Sequence, residues 1–471
     1  MRPSLSQAQR IDHSIFRAYD IRGIVGQTLT LEGVYLIGQA LGTEALEKGE
    51  QSLALGFDGR HSSPVLAEWL SEGILSTGCE VIDVGSIPTP LLYYATFVLD
   101  TRSGVMITGS HNPPEYNGLK IVIQGETLAE DRIQNIYQRI VADNFLQGRG
   151  EYREVDLVES YLHHIADTVK LKRPLRVVVD AGNGIAGMVA PELYRRLGCE
   201  IHELFCKVDG SFPNHHPDPS QIENLQDLIK AVREQKADLG LAFDGDGDRL
   251  GVVTGQGKII WPDRQLILFA QSILAQHPRA KIIYDVKCTA HLAHFIRQQG
   301  GEPLMWKTGH SLIKAKLAET QALLAGEMSG HIFFKDRWFG FDDGLYAGAR
   351  LLELLSASEA DCEAVFAAIP DSVNTPELKV FVSEDEKFKM MDQLISQMKL
   401  TQKKFAQAQE VITIDGLRIN FADGWGLVRP SNTTPCLVLR FEASNETIMQ
   451  KIQDCFRDLL LAVKPGLVLP F

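Results

Sequence analysis

The chain has 471 residues, 45% hydrophobic and 23% charged, with 47 Lys and Arg against 60 Asp and Glu and a formal net charge of −13. That length exceeds one core and favours about three to four domains, and the acidic excess disfavours a general nucleic-acid binder. No apolar run is long enough to span a bilayer, Met1–Gln7 lacks the apolar core of a signal peptide, and the seven cysteines stand singly without a C-x-x-C pair, as in a reducing, cytosolic compartment.

Near the start, Phe16-Arg17-Ala18-Tyr19-Asp20-Ile21-Arg22-Gly23 offers Tyr19 and Arg22, which either enter a site or brace a domain edge. Leu53–Phe57 is an apolar strand ending in Asp58. A helical pattern over about Ser63–Ser76 follows, then Gly78-Cys79-Glu80 and a second strand, Val81–Val84. Gly104–Ile107 is a short buried strand that runs into Thr108-Gly109-Ser110-His111-Asn112-Pro113-Pro114. Gly109 permits a sharp turn and the prolines keep it from becoming a helix. The loop is therefore stiff and holds the Ser110 hydroxyl out at a strand end, which suits a nucleophile or a phosphoryl carrier. A plain Gly-Ser turn is the alternative.

Arg176–Asp180 begins the same order again, with Gly182-Asn183-Gly184, a helix over about Val189–Leu197 and Gly198-Cys199-Glu200-Ile201. Lys281–Asp285 begins it a third time, with a helix over about Thr289–Gln298 and Gly300-Gly301-Glu302 before the next strand. Three copies, about a hundred residues apart, predict three α/β units of common build. Ligands gather at the carboxyl ends of strands in such sheets. Turn-rich segments at Gln147–Gly150, Gly255–Gly257 and Pro370–Pro376 divide the chain into 1–155, 156–257, 258–370 and 371–471. The last segment lacks the repeat. Strands at Leu378–Val382 and Leu437–Phe441 with helices at 384–397 and 445–462 make it a separate α+β unit.

After the apolar strand Leu239–Phe243 comes Asp244-Gly245-Asp246-Gly247-Asp248-Arg249. Three carboxylates in five residues repel unless a cation sits among them, and oxygen-only ligands select Mg²⁺ or Ca²⁺ over zinc. An EF-hand fails here. Arg249 stands where its loop needs Gly, Gly255 where it needs Glu, and a strand precedes it. Arg429-Pro430-Ser431-Asn432-Thr433-Thr434-Pro435 offers a guanidinium, hydroxyls and exposed N–H groups, either as a phosphate cradle or as a Ser/Thr-rich hairpin turn. Gly424-Trp425-Gly426 upstream, read as flexible and aromatic, favours the cradle. Gly326-Glu327-Met328-Ser329-Gly330-His331 can bind vicinal hydroxyls or form a turn around a buried Glu, and Lys307-Thr308-Gly309-His310 lies where the repeat places a site. Lys120 and Lys287 are further candidate cations.

With these four motifs in this order, the whole chain resembles the α-D-phosphohexomutases, and most closely their bacterial bifunctional phosphomannomutase/phosphoglucomutase branch. Thr108–Pro113 is similar to the family's phosphoserine loop, Asp244–Arg249 to its metal loop, Gly326–His331 to its sugar loop and Arg429–Pro435 to its phosphate loop. Met328 is similar to that branch and unlike the phosphoglucosamine mutases.

The resemblance implies three α/β domains with mixed sheets and a smaller α+β fourth domain around a central cleft. It implies a cytoplasmic, monomeric enzyme interconverting hexose 1- and 6-phosphates, with Mg²⁺ and a hexose 1,6-bisphosphate as intermediate and activator. Phosphosugars are then its partners, not nucleic acid or membrane. Ser110 would carry the phosphoryl group and, with Asp244, Asp246 and Asp248, face the metal. Arg22, Lys120, Arg249 and Lys287 would steady charge, and Lys120, His331 and His111 are unranked candidates for proton transfer. Tyr19 and His310 would help recognise the substrate, Glu327 and Ser329 would hold the sugar, and Arg429, Ser431, Asn432 and Thr433 the non-reacting phosphate. A glucosamine-phosphate mutase, a Mg²⁺-dependent phosphatase and a sugar-phosphate-binding regulator remain as alternatives.

Overall fold

The computed structural model describes residues 11–400, 407–432 and 434–471. Its first three sheets share one motif. In the first, the parallel strands Gly104–Ile107, Ser52–Phe57 and Glu80–Ser86 lie side by side in that order, and Tyr116–Ile123 runs antiparallel beside Gly104–Ile107. Leu239–Phe243, Arg176–Asp180 and Glu200–Leu204 take the same places in the second, with Leu250–Thr254 antiparallel. Leu324–Gly326, Lys281–Asp285 and Glu302–Trp306 take them in the third, with Ile332–Phe334 antiparallel. The central strands are apolar because a parallel sheet is covered on both faces; Leu53, Val178 and Ile283 are all fully buried. Ile259–Ile260 pairs with Val252 and Val253 at the edge of the second sheet, just beyond the border drawn at 257. A strand that short carries no periodicity to read.

Each central strand ends in, or just before, an Asp whose carboxylate turns the chain back on itself. Oδ1 accepts the N–H two residues on: Asp58 from Arg60 at 3.1 Å, Asp180 from Gly182 at 2.9 Å, Asp285 from Lys287 at 3.2 Å. These Asx turns lead into the helices Ser63–Leu75, Ala190–Arg196 and Ala290–Gln298. The neighbouring parallel strand of each unit ends beside that Asp and passes into its antiparallel partner through a loop. In chain order those loops carry Ser110, Asp244 to Asp248, and Glu327 to Ser329. Three chemically different loops thus occupy one topological position.

The fourth unit is an antiparallel sheet of six short strands with the helices Glu384–Leu400 and Glu446–Val463. It has its own apolar core, whereas one core runs through the first three units from Ala54 to Phe366. Gly424-Trp425-Gly426 corrects the sequence reading: it is part of the strand Gly424–Pro430, and Trp425 is fully buried against Val286 and Leu427. The Arg418 guanidinium lies 3.8 Å over the Trp425 ring. Buried charge completes this seam. Arg440 meets Asp263 at 3.0 Å and Arg264 meets Glu442 at 3.2 Å. All seven cysteines are free, Cys79, Cys199 and Cys288 among the buried ones. Among the described residues, no helix is long and apolar enough to cross a membrane.

Candidate active site

Ser110 stands in the left-handed region, φ 48°, at the tip of its loop. Its Oγ donates to Asp244 Oδ2 at 3.0 Å and lies 3.2 Å from His111 Nδ1. A hydroxyl has one proton, so with that proton on Asp244 the His111 contact is an N–H donating to Oγ. Burial first, then the cations Arg249 and Arg22, push the His111 pKa well below the ordinary range and keep the ring neutral. Arg22 Nη1 grips the same loop, donating to Gly109 O at 3.1 Å and to Asn112 Oδ1 at 2.5 Å.

The acidic loop faces Ser110 from the second unit, with Asp244, Asp246 and Asp248 all fully buried. Asp244 Oδ1 accepts the N–H groups of Gly247 at 3.1 Å and Arg249 at 3.2 Å. Asp246 Oδ2 accepts from Thr89 Oγ1 at 2.6 Å and Lys120 Nζ at 2.7 Å, and Lys120 also pairs with Asp248 Oδ2. That leaves Asp246 Oδ1 and Asp248 Oδ1 buried with no hydrogen-bond partner, Asp248 Oδ1 lying 3.5 Å from His331 Nδ1. The three carboxylates each offer an oxygen, all within 4.8 Å of one another. Orphaned buried carboxylate oxygens converging beside a serine hydroxyl fit a hard divalent cation. Burial, then Asp246 and Asp248, push Asp244 well above the usual carboxylate range. Burial would likewise raise Asp246, but Lys120 overrides it and holds that carboxyl low. Burial would lower Lys120, but Asp246 and Asp248 keep it an ammonium.

His331 lies against the acidic loop from the third unit. Arg249 Nε donates to His331 Nε2 at 3.1 Å, which puts the ring proton on Nδ1, 3.0 Å from Asp342 Oδ2. His310 stacks on His331 with centroids 5.5 Å apart, and burial, then Lys314, pushes its pKa well below the ordinary range. Glu327 accepts the Gly309 N–H, and burial raises its pKa. Ser110, His111, Lys120, Arg22, Arg249, His310, Glu327, Ser329 and His331 line one cavity of about 140 Å³.

That cavity adjoins a larger one of about 500 Å³, and Tyr19, His111, Arg249 and Ser329 line both. Lys287, Arg429, Ser431 and Asn432 line the larger space. Lys287 pairs with Glu377 at 2.6 Å and Arg429 with Asp415 at 3.0 Å. Burial would lower both cations, but Glu377 and Asp415 respectively raise them. Ser431 Oγ and Thr434 Oγ1 are 2.7 Å apart in the hairpin turn. Asn432 Nδ2 donates to the Tyr19 hydroxyl, which donates to Thr308 O at 2.9 Å, so the first, third and fourth units meet at the mouth of the cleft. Thr433 lies outside the described residues.

Sequence reasoning missed Thr89, Asp342, Glu377 and Asp415, each isolated in sequence from any motif it serves. It also missed His216, whose Nε2 meets the His111 carbonyl. Here a signal existed: Phe212-Pro213-Asn214-His215-His216-Pro217-Asp218-Pro219 is as stiff and polar as the Ser110 loop.

Family models described as phosphoglucomutase/phosphomannomutase alpha/beta/alpha domains I, II and III match residues 13–147, 159–257 and 261–373, and the model for the C-terminal domain matches 377–459. A phosphomannomutase/phosphoglucomutase of Pseudomonas aeruginosa is 54% identical over 470 residues, 99% of this chain and 100% of that protein. A phosphoglucomutase of Neisseria meningitidis is 53% identical over 463 residues, 98% of this chain and 99% of that protein. A crystal structure of a phosphoglucomutase/phosphomannomutase family protein from Burkholderia thailandensis superposes with a TM-score of 0.93 at 52% identity, over 98% of this chain and 100% of that one.

Proposed function

The chain belongs to the phosphoglucomutase/phosphomannomutase family, and from that premise we propose how its own residues carry out the mutase reaction on both mannose and glucose phosphates. It is a phosphohexomutase, an intramolecular phosphotransferase interconverting hexose 1- and 6-phosphates. Ser110 is its phosphoryl carrier. The observation that carries this is Ser110 Oγ at 3.0 Å from Asp244, beside two orphaned carboxylate oxygens, at the floor of a cavity lined by sugar- and phosphate-type groups.

In the resting enzyme Ser110 is phosphorylated. The hexose phosphate enters with its phosphate between Arg429, Lys287, Ser431 and Asn432, and with ring hydroxyls on Glu327 and Ser329. Its free hydroxyl then faces phosphoserine. Lys120 is an ammonium and cannot accept a proton, and burial beside Arg249 and Arg22 makes His111 a poor base. His331 lines the smaller cavity and takes the hydroxyl proton on Nε2 as its bond from Arg249 Nε opens, with Asp342 steadying the imidazolium. The P–Oγ bond breaks as the bond to the sugar oxygen forms, and Arg22 and Arg249 hold charge around the transferring group. The hexose 1,6-bisphosphate turns in the larger cavity and returns its other phosphate to Ser110, while His331 gives back its proton. Asp244, Asp246, Asp248 and the serine phosphate would hold Mg²⁺, which supplies charge neutralisation for the serine leaving group. The free cysteines support the cytoplasm.

Intact-mass measurement tests the carrier. The purified enzyme is expected to hold one phosphate, lost on adding excess hexose phosphate. Ser110→Ala is expected to lose at least about 10³-fold in turnover while keeping hexose-phosphate binding by calorimetry. Full activity in that variant sinks the covalent scheme. Comparing turnover of mannose, glucose and glucosamine 1-phosphates settles the sugar.

A further inference from the structure

Behind the Ser110 loop, on the side away from the cavities, lies a buried guanidinium. Arg60 is 2% exposed. Its Nη1 donates to Pro113 O at 2.6 Å and Tyr116 O at 2.9 Å, and its Nη2 to Ser110 O at 2.8 Å and Asn112 O at 2.6 Å. Its Nε is 3.3 Å from Asp58 Oδ2, which also accepts the Gly109 N–H at 3.2 Å. Asp58 Oδ1 is fixed by Ser63 Oγ at 2.6 Å.

We propose that Arg60 and Asp58 are the positioning residues of the phosphoryl carrier, a rigid mould that turns four backbone carbonyls inward and so aims Ser110 Oγ at the acidic-loop carboxylates. Four observations carry this. Arg60 lines neither cavity, so it touches no substrate. Ser110 holds a left-handed φ of 48°, which a serine keeps only where surrounding contacts over-determine it. Its own carbonyl is one of the four that Arg60 holds. Finally, the repeat supplies an internal comparison: Lys287 stands two residues after Asp285 as Arg60 stands after Asp58, with the same backbone bond to the Asp. Lys287 faces the cleft, whereas Arg60 is turned under the loop. A guanidinium suits that place because its planar fork serves several carbonyls at fixed angles, which an ammonium cannot.

The inference rests on Ser110 being the carrier. Displacing a reacting atom by about 1 Å costs on the order of 10²-fold in rate. Arg60→Lys is therefore expected to lower kcat about 100-fold while KM, and the affinity for glucose 1-phosphate by calorimetry, stay within about threefold. Asp58→Asn, which keeps the shape, is expected to do the same in smaller measure, and it carries the test alone where Arg60→Lys does not fold. A folded variant with parental kcat overturns the proposal. So does a loss of kcat matched by an equal loss of affinity, the mark of a general structural role. A parent enzyme with full turnover but no phosphate on Ser110 overturns the carrier reading itself, and this inference with it.

Discussion

Arg429 illustrates how the site is set at the scale of one residue. Its Nε is bonded to Asp415 at 3.0 Å, its Nη2 is buried without a hydrogen-bond partner, and the residue lines the larger cavity. A buried donor with nothing to bind is the direction left for a phosphate oxygen. Removing a charged hydrogen-bond partner costs about 1.5–3 kcal/mol, roughly 10- to 100-fold. Arg429→Ala is therefore expected to raise KM by that factor and to let hexose bisphosphate accumulate in solution, read by steady-state kinetics and phosphorus NMR. Unchanged KM with no free bisphosphate would remove the fourth unit from the site.

Among the elements, the helix Gly344–Ala357 carries a pH-dependent cap. Asp343 accepts the Tyr346 N–H at 2.9 Å, the Tyr161 hydroxyl at 2.9 Å and the Trp338 indole N–H at 3.2 Å, and so ties this helix to Val158–Thr168. Burial pushes its carboxyl up to about 7, against the pull of these donors. The unfolded value is about 3.9. A group raised on folding gives stability that is complete below the unfolded value and is lost as pH rises through the folded one. Unfolding free energy is therefore expected to fall between about pH 5 and 8, by on the order of 3 kcal/mol from this group, and Asp343→Asn to remove that slope. Urea unfolding at both ends of the window measures it. Equal slopes in parent and variant would show that Asp343 stays ionised.

For the whole molecule, the cleft depends on the seam between the third and fourth units. Arg440 is fully buried and donates to Asp263 at 3.0 Å and to the Lys287 carbonyl, so the backbone of Lys287 is tied to the sheet that carries Arg429. Breaking a buried pair from one side costs about 3–5 kcal/mol. Arg440→Met is expected to lose that much in denaturant unfolding and to raise KM as well, since the two cations lose their common frame. A stable variant with parental KM would make the seam incidental. Much of this architecture was legible in the sequence. The apolar strands ending in Asp58, Asp180 and Asp285, and the loops at Ser110, Asp244, Glu327 and Arg429, declare themselves because periodicity and turn chemistry are local. Trp425 was misread because an aromatic between glycines says nothing of what packs on it. Arg60, Thr89, Asp342 and Asp415 stayed silent because each acts on a loop from another element. The sequence by itself determined the three repeated α/β units and singled out the loops at Ser110, Asp244–Asp248 and Arg429. Only the tertiary structure decided that the three loops of the repeat are topological equivalents, that Lys120 sits between Asp246 and Asp248 and that Arg249 Nε donates to His331 Nε2. Backbone preference acts between neighbours in the chain, whereas charge pairing and proton placement act across space.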